Sequence, residues 1–244
     1  MPSGPQLKLL SPAEVHFPTE SIEIDLIFCE HNSPKSLPQE FGRLTMQADV
    51  IALEAVGWSS DGAKLRQDVA EGDQQALERL STQLPLSPQG GFWRALHKGI
   101  FGTNAKVHHP EAPQNHPVAN AYLLAMHEEA KAVSVYSSLA VPPRFMLPAL
   151  RKTFAAISAR DKYVLQHFFP EEVPRLDGSI HYVGIFGLLH RGLAAAISQQ
   201  AEEQGRHDVI VRSYEKGSVD PTPYERYLQG INPTAMDVEA YYRV

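Results

Sequence analysis

The sequence predicts an α/β protein: a mixed or mostly parallel central sheet built from two related α/β halves, with a helical insertion between them. Three observations predict it. Short apolar runs of strand length alternate with longer segments of helical spacing. EIDLIFCEH (23–31) and ADVIALEAVGW (48–58) enclose a helix-length segment, the order that sets two strands parallel. HYVGIFG (181–187) and DVIVRSY (208–214) enclose LLHRGLAAAISQQAEEQG in the same way. Each half places a histidine just past its first run, His31 and His190.

Between the first two runs, SPKSLPQEFGRLTMQ offers Ser33 as N-cap and Pro34 at the first helical position. The second run is interrupted by one charged residue, Glu54. Residues 61–83 carry apolar side chains at helical spacing on a polar background, with a break at Gly72, and residues 90–101 form a further helix. FGTNAKVHHPEAPQNHP (101–117) is rich in turn formers and reads as a loop. Pro117 opens a helix to Leu139, and after Pro142-Pro143 residues 145–169 form one helix or a helix pair entered at Pro148. Gly187 allows a tight turn before the last crossover helix, and Gly205 stops that helix. Residues 1–244 thus form a single α/β domain, with a helical insertion over about 61–170 and a tail, about 217–244, packed on the surface.

A chain of 244 residues, 43% of them hydrophobic, can bury a large core. Its net charge of -6 is spread along the chain with no lysine or arginine block, which argues against a nucleic-acid partner. The lone Cys29 excludes an intrachain disulfide and a cysteine-based zinc site, as expected in a reducing compartment. MPSGPQLKLLSPAEVHF lacks the apolar region of a signal peptide, and no run approaches 18 apolar residues, so a cytoplasmic protein with no membrane partner is expected. Oligomeric state is left open.

Ionisable residues at the ends of apolar elements must be solvated, paired or shifted in pKa. Glu30, His31, Glu54, His190 and the pair Arg160-Asp161 stand in such places. His108, His109 and His116 lack the spacing of a metal site and are expected in solvent, and His127 with Glu128 and Glu129 lacks the HExxH spacing. Neither a GxSxG elbow nor a P-loop is present.

Four short matches occur in order: LIFCEHNSPKS, ADVIALE, ISARDKYVLQHF and GLLHRGLAAAI. Together they resemble the superfamily of TraB/PrgY proteins, TIKI metalloproteases, ChaN haem-binding proteins and erythromycin esterases, the EreA/ChaN-like fold. The matches span residues 23–54 and 157–214, with Phe28 where the first GxxH motif has glycine and Val164 where the helix motif has methionine. The resemblance implies that His31, Glu54, Arg160 and His190 share one cleft.

Two imidazoles and a carboxylate, His31, His190 and Glu54, are a ligand set for a divalent metal ion that activates water. Without metal the same residues suit general-base hydrolysis, with Glu30 or Glu54 orienting His31, Arg160 stabilising an anionic intermediate and Asp161 beside it. Either route makes a hydrolase acting on a small-molecule or peptide substrate through an ester or amide bond. The alternative is a non-catalytic protein of ChaN-like type that binds haem or another small ligand.

Overall fold

The computed structural model describes residues 21–139, 142–168, 179–203, 205–217 and 220–242. The N-terminal residues 1–17 considered for a signal sequence, and Phe169 of the expected long helix, lie outside them. Five strands form one sheet: β1 (Ile22–Cys29), β2 (Val50–Leu53), β3 (Lys106–His108), β4 (Ile180–Gly187) and β5 (Val209–Lys216). Their order is β3-β2-β4-β1-β5, and every pairing is parallel.

Burial on both faces explains the continuous apolar runs of the three central strands. From β1 and β4, Leu26, Phe28, Tyr182 and Phe186 face one side, where α6 (Leu147–His167) brings Val164 and α7 (Gly192–Glu203) brings Leu193 and Ile197. Ile27, Ile51, Leu53, Val183 and Ile185 face the other. There α1 (Phe41–Gln47), α2 (Ser60–Ala70), α3 (Gln74–Gln83) and α4 (Pro88–Ile100) cover them with Leu44, Val69, Leu80, Phe92 and Leu96. Edge strand β5 instead alternates half-buried and exposed residues over most of its length.

The connection leaving β1 runs through α1 to β2, and the one leaving β4 runs through α7 to β5. Because α1 and α7 cover opposite faces, the chain departs from these neighbouring strands in opposite directions and opens a crevice at their carboxyl ends.

A third core joins Leu150, Phe154 and Ile157 of α6 to Tyr224 of α8 (Thr222–Leu228) and Val238 of α9 (Ala235–Tyr241). The C-terminal segment expected on the surface is therefore built into the fold, with Tyr224 1% and Val238 0% exposed. Its Pro- and Gly-rich composition hid two one- to two-turn helices too short to show a period.

Other elements also depart from expectation. The span taken as a helical insertion supplies strand β3, whose three residues include one large apolar side chain and so give no strand pattern. Gln67 on α2 holds β3 in place: Val107 N–H donates to its Oε1 at 2.7 Å, and its Nε2 donates to Ala105 O at 3.4 Å. β2 stops at Leu53, four residues long, and the chain turns away at Gly57 (φ +68°). Ser33 caps a single 3-10 turn at Pro34–Ser36, and α1 begins at Phe41. The helical stretch 61–83 breaks at Gly72 (φ +90°) as its sequence predicts. Among the described residues no helix is long and apolar enough to cross a membrane.

Candidate active site

Three adjacent strands end in chemistry. β1 delivers Glu30 and His31, β2 delivers Glu54, and β4 ends at Gly187, after which a 3-10 turn, Leu188–His190, carries His190. α6 crosses behind them with Arg160 and Asp161. A cavity of about 500 Å³ opens over these ends, lined by Glu30, His31, Glu54, His190, Tyr122 and Tyr241 among others.

Glu54 is the centre. One carboxylate oxygen, Oε1, accepts from the Arg160 guanidinium and the other, Oε2, from Gly187 N–H. His31 Nε2 stands 3.8 Å from Oε2 and His190 Nε2 stands 3.7 Å from Oε1. Gly187 lies at φ -63°, so its small size serves close approach and not an unusual turn. A Cβ there would lie 3.2 Å from Glu54 Oε2.

The two imidazoles are held differently. His31 is stacked on Phe92 (ring centroids 4.6 Å apart) and edge-on to Trp93 (5.0 Å), both from α4, and its Nε2 has no hydrogen-bond partner. Burial pushes its pKa down against the pull of Glu54. His190 is 3% exposed, and its Nδ1–H donates to Asp161, which fixes Nε2 toward Glu54. Burial works against its charged form, but the Asp161 carboxylate outweighs it with Glu54, and the pKa rises. Burial would also raise Glu54, yet Arg160 and the two histidines hold its carboxyl far below the usual carboxylate range.

Arg160, 1% exposed, is gripped from two sides. Its Nε donates to both oxygens of Glu111 at 3.0 and 2.8 Å, and its guanidinium carbon sits 4.4 Å from the centre of the Tyr122 ring. Glu111 reaches inward because its loop is tied to Trp58: the indole N–H donates to Glu111 O at 2.7 Å, and Gly57 N–H donates to Ala112 O at 3.0 Å. Asp161 accepts at its second oxygen from Tyr224 Oη at 2.7 Å.

All six residues singled out in the sequence come together. Glu30, His31, Glu54 and His190 line the cavity, and Arg160 and Asp161 sit behind it, each bonded to a lining residue. Glu30 accepts from Asn32 Nδ2 at 2.6 Å, which ties the turn beyond β1. Glu111, Tyr122 and Tyr224 escaped sequence reasoning. Glu111, flanked by Pro110, Ala112 and Pro113 in a loop rich in polar residues, carried no signal that set it apart. The loop histidines expected in solvent are not exposed: His109 is buried against Trp58, His108 Nε2–H donates to His167 O at 2.7 Å, and His116 Nδ1 accepts from Val118 N–H at 3.2 Å. Packing of their loop against α2 and α6 buries His109 and leaves His108 and His116 half-buried. Cys29 lies beside the site, but burial, Glu54 and Glu30 push its thiol up to about 12, which rules it out as a thiolate nucleophile.

His31, Glu54 and His190 were also the residues named for a metal. As they stand, both oxygens of Glu54 are engaged by Arg160 and Gly187, and a guanidinium beside the carboxylate repels a dication. In this arrangement the trio does not fit a divalent ion. Among the described residues no group of three or more His, Cys, Asp or Glu side chains is placed to hold one. Comparison with models of protein families, with curated proteins and with solved structures gives no match.

Proposed function

We propose that the protein is a hydrolase that cleaves an ester or amide bond with two histidines acting across one carboxylate. The observation that carries this reading is the pair of imidazoles on either side of Glu54, at 3.8 and 3.7 Å, whose pKa values move in opposite directions. Titratable neighbours pushed apart by their surroundings divide acid and base roles between them. The order of short motifs, which resembles that of the TraB, TIKI, ChaN and erythromycin esterase superfamily, supports the same reading.

Neutral His31, a residue that lines the cavity and whose buried Nε2 has no hydrogen-bond partner, takes a proton from water as oxygen attacks the substrate carbonyl carbon. His190, charged and aimed by Asp161, gives the proton on Nε2 to the departing oxygen or nitrogen as the carbonyl–heteroatom bond breaks. Glu54 remains ionised and stabilises whichever ring carries the charge, and proton return from His31 to His190 through solvent resets the site. Arg160 is too enclosed to meet an intermediate and instead fixes Glu54.

The test is a panel of chromogenic esters and amides, assayed with and without chelator. Hydrolysis of at least one member, unchanged by chelator and reduced about 10²–10⁴-fold in His31→Ala and in His190→Gln, is the expected result. Turnover that survives both substitutions in folded protein overturns the proposal. Activity lost to chelator and restored by a divalent ion would replace it with the metal route. A Soret band on mixing with haem, with no turnover, would replace it with ligand binding.

A further inference from the structure

Attack of water on a carbonyl carbon moves an electron pair onto the carbonyl oxygen, and a hydrogen-bond donor aimed at that oxygen lowers the barrier. The nearest cation cannot supply one: Arg160 is 1% exposed and spends its guanidinium on Glu54 and Glu111. Both histidines are engaged in moving protons. Among the other side chains that line the cavity and can donate, Cys29 is 0% exposed and is at best a weak donor. Asn32, which bonds Glu30 at 2.6 Å, and Gln89 are exposed, where water weakens an electrostatic contact. Tyr122 and Tyr241 remain.

Of these two, Tyr122 is the one tied to the reacting groups. It stands in the second turn of α5 (Pro117–Leu139), and its ring centre is 4.4 Å from the guanidinium carbon of Arg160. That guanidinium donates to Glu54 Oε1, the atom 3.7 Å from His190 Nε2, so one side chain separates the phenol from the carboxylate between the histidines. Tyr241, from α9, is placed by other rings, edge-on to Phe154 at 5.4 Å and to Tyr242 at 4.9 Å. The hydroxyl of half-buried Tyr122 has no hydrogen-bond partner among the described residues, and it is not one of their fully buried unpaired atoms. The fold thus leaves one O–H of the cleft unspent. Burial pushes this hydroxyl up to about 12 while the Arg160 charge works against the rise, so the phenol keeps its proton over the working range of the histidines.

We propose, resting on the hydrolytic reading of the same cleft, that Tyr122 is a further catalytic residue whose Oη–H donates to the substrate carbonyl oxygen as that oxygen becomes an anion. The water oxygen bonds to carbon, its proton passes to His31, and the displaced electron pair is held on the carbonyl oxygen by the phenol, which keeps its own proton. When the pair returns to the carbonyl, the carbon–heteroatom bond breaks and the leaving atom takes the proton of His190. Arg160 supports the donor from the face of its ring without meeting the intermediate.

The test pairs the chromogenic ester or amide that the parent protein hydrolyses fastest with its thiono analogue, in which sulfur, a poor acceptor, replaces the carbonyl oxygen. The parent protein is expected to favour the oxygen substrate by about tenfold or more. Tyr122→Phe is expected to lower kcat on that substrate about 10²–10³-fold with KM little changed, and to slow the thiono analogue far less, so that the preference collapses. The phenyl ring still covers Arg160 and no hydrogen bond within the described protein is lost, so the unfolding midpoint should match the parent's. Equal slowing of both substrates would assign Tyr122 to packing on Arg160 and overturn the proposal, as would unchanged turnover, or a collapse of the preference in Tyr241→Phe but not in Tyr122→Phe. A parent protein that hydrolyses no member of the panel fails at the hydrolytic reading itself and takes this role of Tyr122 with it, an outcome distinct from the other three.

Discussion

Tyr224 donates its hydroxyl to Asp161 at 2.7 Å, and the other oxygen of the same carboxylate holds the ring of His190. The C-terminal segment is thereby coupled to one of the two histidines at the centre of the site. Tyr224 is 1% exposed and packs at a tilt against Phe154, ring centroids 5.3 Å apart, so Tyr224→Phe keeps the packing and removes one hydrogen bond to a charged group. A loss of about 1.5–3 kcal/mol in denaturant unfolding is expected. Asp161, sharing its charge with one donor fewer, should pull harder on His190, so the imidazole titration followed by NMR should move to higher pH. An unchanged titration would mean that α8 only packs.

The opposite shifts of the two histidines set the sign of the pH dependence. In the proposed hydrolysis His31 must be neutral to accept a proton, and its pKa is lowered, so the rising limb should lie below the ordinary histidine value of about 6.5. His190 must be charged to give one, and its pKa is raised, so the falling limb should lie above that value. Stability follows the same groups. His190 contributes stability below its unfolded pKa that is lost as pH rises through its folded value. His31, with His97 and His109 held down to about 3, takes up protons more readily when unfolded, so stability should fall progressively as pH drops below about 6.5. Thermal melts between pH 4 and 7 would check this, with His97→Phe flattening the acid side.

Arg160 and its two carboxylates, Glu54 and Glu111, form a buried cluster joined by charge-assisted hydrogen bonds. Glu111 is 1% exposed and supplies the grip on Arg160 Nε, so Glu111→Gln, which weakens that grip while Arg160 keeps Glu54, should cost about 1.5–3 kcal/mol in chemical unfolding. In protein that remains folded, Glu54 should be the one carboxylate left on Arg160, with the glutamine amide oxygen a neutral acceptor. A substitution that left unfolding unchanged would show that the Glu111 contact contributes little.

How much of this was legible in the sequence depended on whether a residue's partner was local. The central strands β1 and β4 were visible because burial on both faces leaves unbroken apolar runs, and Glu54 and His190 were visible because each interrupts or ends such a run. β3 was not, since a three-residue edge strand is fixed by Gln67 from another element and not by its own pattern. Glu111, Tyr122 and Tyr224 act through α6, 49, 38 and 64 positions from Arg160 and at separations no periodicity encodes, so only the fold could bring them to the site. His109 was misjudged for the same reason: its loop looks solvent-facing until α2 and Trp58 close over it.

Gly187 tests whether the placement of Glu54 matters beyond folding. Its φ of -63° is open to any residue, so Gly187→Ala brings no backbone strain, and the added methyl meets Glu54 Oε2 at 3.2 Å, tighter than ordinary contact. The carboxylate can yield only by loosening its bond from Gly187 N–H, which alters its distances to His31 and His190 together. Stability should change by less than about 1.5 kcal/mol, in the range of tolerated small rearrangements, because the apolar core is untouched. Turnover should fall about tenfold to a hundredfold through kcat with KM little changed, since misplacement by a fraction of an ångström acts on the reacting geometry and not on substrate binding. Equal kcat in Gly187→Ala and the parent protein would mean that Glu54 does not need its present position, and the arrangement of two histidines across one carboxylate would lose its catalytic meaning.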